Sequence, residues 1–203
     1  MSYTYNLSPT AMFEDRYGQF VSFGIPKADV DTLRATITDM WADAPGGWPF
    51  EWSTFARKYM EAGNPLLASF TYGFTKFPCL ANDARRKAQQ NQLETYLKAA
   101  PSFPVKFERR ILALRYQGKS VNLPVHLFSV TGQYAGTPVL IYSGGVDTYK
   151  MDLHALCVTL TQRLGIAVLG FDIPGTGESP VPLSVKGDEL VLGLVKEARK
   201  LGN

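Results

Sequence analysis

Two glycine-rich stretches carry the residues whose types and spacing point to chemistry. Ser143-Gly144-Gly145-Val146-Asp147 follows the apolar run Pro138-Val139-Leu140-Ile141-Tyr142. Asp172-Ile173-Pro174-Gly175-Thr176-Gly177-Glu178-Ser179 follows a second apolar run, Ile166 to Phe171. Small residues placed directly after a strand let backbone N–H groups approach a developing negative charge, which is what an oxyanion hole needs. The same arrangement can hold an anion such as phosphate at a helix N-terminus. The phosphate readings fail on their own residues. Gly118-Lys119-Ser120 resembles the end of a Walker A loop, but position 113 is Ala where the loop needs Gly. Gly175-Thr176-Gly177 begins a dinucleotide fingerprint and then meets Pro180, which cannot supply the close helix–strand packing of such a loop.

The elements that must position these stretches follow from the hydrophobic pattern. Between the two apolar runs, Leu153, Leu156, Cys157, Leu160 and Leu164 recur at helical spacing, so a helix over 149–164 closed by Gly165 is expected. Strand, helix and strand make a βαβ crossover, in which the functional loops lie beyond the carboxyl ends of the strands. Upstream, Phe107 to Tyr116 alternates in polarity, Gln117-Gly118-Lys119 is a turn, and Val121 to Val130 completes an antiparallel hairpin. Downstream, Asp188 to Leu201 has the pattern of a final helix.

The first hundred residues read differently. Helices are expected over 29–42, 49–61, 66–77 and 82–100, preceded by an irregular, aromatic-rich arm over 1–28. The composition shifts at Pro101-Ser102-Phe103-Pro104. The expected organisation is a helical region, 1–104, followed by an α/β core, 105–203. The fold class is α/β, a hairpin plus a parallel βαβ unit.

Composition excludes several classes. A formal net charge of +3 with only 19% charged residues gives no nucleic-acid footprint. His126 and His154 are the only histidines and neither has a ligand-spaced partner, so no metal site and no cofactor are expected. Cys79 and Cys157 form no CxxC pair. No run approaches the ~18 apolar residues of a membrane span and there is no leader pattern, so a cytoplasmic protein is expected.

Residues Tyr142 to Asp147 and Phe171 to Ser179 resemble the matching loops of α/β-hydrolases. They are most similar to the group that includes the fermentation–respiration switch protein, the dihydroxypseudooxynicotine hydrolases and the fungal polyketide-shortening hydrolases. Those relatives also carry a helical segment ahead of their first strands. The resemblance implies a serine-type hydrolase acting on an ester, or on a C–C bond next to a ketone. It implies that the backbone of Gly144, Gly145 and Val146 forms part of the oxyanion hole.

Trp48, Trp52 and Tyr149 are candidates for lining a small-molecule pocket. The other reading of the tryptophans is a helix–helix core. The family also needs a nucleophile elbow, an acid and a histidine, in that chain order. No G-x-S-x-G occurs, and both histidines precede the elbow position. The chain therefore reads as the first half of such an enzyme and is expected to be inactive alone. Its partners would be a complementary half carrying the triad and a second copy in a homodimer. A non-catalytic regulatory binding protein on the same fold is the alternative.

Overall fold

The computed structural model describes residues 4–202. The chain divides into two compact units, Met1–Ala100 and Pro101–Asn203.

The first unit is a set of five helices: α1 (Pro9–Ser22), α2 (Lys27–Thr36), α3 (Trp48–Glu61), α4 (Pro65–Thr75) and α5 (Asp83–Ala99). The region read as an irregular arm holds α1. Ser8 caps it by accepting from Ala11 N, Pro9 stands at the first helical position, and Phe13 and Phe20 are driven into the core. Asn64 and Asn82 cap α4 and α5 in the same way, through Leu67 N and Arg85 N. Helix α2 stops at Thr36, earlier than its apolar periodicity suggests. Ile37 turns extended, and Asp39 Oδ1 accepts from the N–H groups of Trp41 and Ala42 in a tight turn.

The core of this unit is aromatic. Trp48, Trp52, Phe13, Phe20 and Phe74 meet with ring centroids 4.8–6.3 Å apart. The buried Arg85 guanidinium donates to the carbonyls of Phe77 and Met40 and lies over the Trp41 ring. It thereby satisfies main-chain acceptors that have lost contact with water.

The second unit is a four-stranded sheet with one helix on each face. Strands β1 (Lys106–Tyr116) and β2 (Lys119–Ser129) form the hairpin, and β3 (Val139–Ser143) and β4 (Ala167–Phe171) form the crossover pair. The order is β1-β2-β4-β3, with only β3 and β4 parallel. Period-two alternation sorts the residues. Leu114, Leu123, Val125, Leu127 and Leu169 face α7 (Gly187–Gly202), packing on Leu190, Leu194 and Ala198. The opposite face carries Arg109, His126 and Gly170 in one register row and is covered by α6 (His154–Leu164). The crossover helix begins five residues later than its apolar pattern suggests, because residues 150–153 form turns. Among the described residues no helix is long and apolar enough to cross a membrane.

Candidate active site

Gly144, Gly145 and Val146 lie directly after β3, in a loop that runs to Thr148. The two glycines are there for different reasons, and neither has a positive φ. A Cβ on Gly144 would stand 2.0 Å from Thr148 O, whereas one on Gly145 would meet nothing. Gly144 is thus required by the close approach of two backbone segments as the loop folds back on itself. Gly145 and Val146 are exposed, Val146 at 67%. Among the described residues, nothing accepts a hydrogen bond from the N–H groups of Gly144, Gly145 or Val146. Three successive main-chain donors are left unspent at the carboxyl end of a parallel strand.

The second loop, after β4, is organised around Asp172, whose carboxylate is 2% exposed. Its Oδ1 accepts from Lys150 N at 2.8 Å, and its Oδ2 accepts from Lys150 Nζ at 2.5 Å and Glu178 N at 2.9 Å. Lys150 Nζ also lies 2.8 Å from Glu178 Oε2, and Glu178 Oε1 accepts from Arg109 at 2.7 Å. Gly177 makes this possible. Its φ is +49°, and a Cβ there would fall 2.2 Å from Asp172 Oδ2.

This tetrad, with Lys150 and Asp172 buried and Arg109 and Glu178 partly so, is not apparent from the sequence. Lys150 falls there within the expected crossover helix, and Glu178 at an unspecified position of the glycine-rich loop. The signal present was Asp172 itself, an acid at the end of an apolar strand, which must find partners if it is buried.

Tyr149 is buried, and its N–H donates to Asp152 Oδ2. For Trp48 and Trp52 the structure gives the core reading. Both indoles are 0% exposed, and Trp48 Nε1 donates to Phe74 O within the helical unit. Ser143 Oγ donates to Gly144 O, and Ser179 Oγ to Val181 O. The two histidines sit among rings. His154 is 4.3 Å from Phe103 and His126 5.0 Å from Phe107, centroid to centroid.

Burial lowers the pKa of His154 to about 4. Burial, then the positive charges of Lys150 and Arg109, lowers that of His126 well below its ordinary value. An unfolded histidine takes up a proton near pH 6.5 and the folded ones do not. Stability is therefore full above about pH 6.5 and is lost as pH falls toward 4. For His154 alone the loss is on the order of 3 kcal/mol. Denaturant midpoints measured from pH 7.5 to 4 should show this fall, and His154→Leu should make it shallower, leaving the share of His126.

The family model described as Esterase FrsA-like matches residues 34–188. Esterase FrsA of Photobacterium profundum is 30% identical over 152 residues, covering 66% of this chain and 35% of that protein. Alpha/beta hydrolase ucsC of Acremonium is 29% identical over 144 residues, covering 66% of this chain and 29% of that protein. The chain thus spans about a third of the length of the curated relatives it matches. Among solved structures, AbyA5 superposes with a TM-score of 0.70 at 22% identity, over 86% of this chain and 48% of that one. The 2,6-dihydroxy-pseudo-oxynicotine hydrolase gives 0.65 at 23% identity, over 91% of this chain and 54% of that one. These structures share the α/β-hydrolase fold with the strands and helices described above, and by the family match this chain belongs to the FrsA-like esterases.

Proposed function

We propose that this chain supplies the charge-stabilising side of a serine-type α/β-hydrolase active site, for an ester or for a C–C bond next to a ketone. The observation that carries this reading is the set of unspent N–H groups of Gly144, Gly145 and Val146 at the end of β3. When a serine oxygen attacks a carbonyl carbon, the carbonyl oxygen gains a full negative charge. Donors already aimed at that position need no reorganisation, and each is typically worth about 2.7–4 kcal/mol in the transition state. The second donor of such a hole comes from the residue after the nucleophile. On this reading the nucleophile, the acid and the histidine belong to a complementary segment. The serines and histidines described above are engaged with carbonyls and aromatic rings.

The test uses a chromogenic ester and a serine-directed phosphonate. The 203-residue chain alone should give no phosphonate-sensitive turnover. Mixed with the remaining length of a FrsA-type hydrolase, it should give turnover. In that mixture Gly144→Val, whose side chain must displace Thr148 O, should lower kcat on the order of 10²–10³-fold with a smaller change in KM. Phosphonate-sensitive turnover by the chain alone, or an unchanged kcat in Gly144→Val, would sink the proposal.

A further inference from the structure

We infer that Lys150 is the positioning residue of the Gly144–Val146 loop. Its ammonium ties the far end of that loop to the Asp172–Ser179 loop, so that the two loops beyond β3 and β4 are held as one body. The inference rests on the oxyanion reading for its purpose, but its structural content stands separately.

Within the loop after β3, Gly144 closely approaches Thr148 O, Ser143 Oγ donates to Gly144 O and Thr148 Oγ1 donates to Asp147 Oδ1. At one end β3 anchors it to the sheet. At the other end Lys150 makes three attachments to the neighbouring loop, through its N–H to Asp172 and through its ammonium to Asp172 and Glu178. Arg109, from β1, holds the second oxygen of Glu178. The side chains of Lys150 and Asp172 are 0% and 1% exposed. In so dry a site the pair is screened far less by water and salt than an exposed pair would be.

Burying an ion pair is seldom the most stabilising use of a core position, because desolvation offsets much of the attraction. An aliphatic side chain at position 150 would fill the site at lower desolvation cost. It would not fix the direction of the chain between Gly144 and Lys150. Backbone donors that are to meet a charge without rearranging need that direction fixed.

The experiment is ¹⁵N relaxation on the 203-residue chain, comparing wild type with Lys150→Met and with the charge-neutral double variant Lys150→Met/Asp172→Asn. Backbone order parameters of Gly144, Gly145 and Val146 should fall from about 0.85, the rigid value, to below about 0.6 in both variants. Those of β3 and β4 should stay near the rigid value. Unchanged order parameters in the loop would overturn the inference. If Lys150→Met alone does not fold, the double variant, which buries no lone charge, decides. Loss of order in β3 and β4 together with the loop in the double variant would also overturn it, since the tetrad would then be holding the sheet. No turnover enters this measurement. A loop that loosens as expected, with kcat unchanged in Gly144→Val, would reject the oxyanion reading and leave the tether standing.

Discussion

Asp172→Ala should lower the unfolding free energy of the sheet unit by about 3–5 kcal/mol, the usual cost of removing one partner from a buried ion pair. The substitution leaves the Lys150 ammonium, whose side chain is wholly buried, with Glu178 as its remaining carboxylate partner. It also removes the acceptor for the N–H groups of Lys150 and Glu178, and a buried donor left without a partner costs about 1–3 kcal/mol. Asp172→Asn keeps an oxygen for one of those donors and should cost less. The readout has a built-in separation. Trp41, Trp48 and Trp52 all belong to the helical unit, so tryptophan fluorescence follows that unit while circular dichroism follows both. A loss below about 1 kcal/mol in guanidinium unfolding would show that the tetrad is far better solvated than its burial implies.

Trp52→Ala should cost the helical unit about 3–5 kcal/mol, in the range of large-to-small aromatic deletions in a packed core. Trp52 is fully buried, with ring centroids 4.9 Å from Phe20, 5.5 Å from Phe74 and 5.6 Å from Trp48. Each such aromatic pair adds about 0.5–1.5 kcal/mol beyond simple burial. Its neighbours come from α1, α3 and α4, so no single helix can shift to close the space. Trp52→Phe keeps most of the contacts and should cost clearly less. The fluorescence of Trp48 and Trp41 then reports the midpoint. Near-equal midpoints for Trp52→Ala and wild type would mean that Trp52 is not the centre of this core.

What could be read from the chain and what could not divides along the range of the interactions. Helices α3, α4 and α5, the hairpin and the βαβ unit are set by local periodicity, turn residues and capping, and these are visible in consecutive residues. Helix α1 was legible in principle. Ser8-Pro9 is a start signal, and Phe13, Tyr17 and Phe20 fall at i, i+4 and i+7. The aromatic cluster around Tyr3 and Tyr5 obscured that stripe, and Tyr3 lies outside the described residues.

The start of α6 differs from the expected one for a different reason. Periodicity continues back to Leu153, but Lys150 is drawn into the tetrad by a carboxylate 22 residues away, and no window of consecutive residues contains that pairing. The glycine loop was found from its residue types. The cause of Gly144, a backbone oxygen 2.0 Å from where its Cβ would be, is a tertiary fact. His126 and His154 stand apart in spacing and precede the elbow position, which the chain itself shows; that both sit among aromatic rings is a tertiary fact.

The four side chains of the tetrad sum to no net charge: Lys150 and Arg109 are cations, Asp172 and Glu178 anions. A cluster of this kind casts little field beyond its own dimensions. It would not gather anionic ligands from a distance as an uncompensated arginine would, nor would it repel them. On the proposed reading, any selection of ligands by overall charge would come from residues outside the tetrad. The tetrad's own contribution to a ligand's encounter rate should therefore be nearly indifferent to ionic strength.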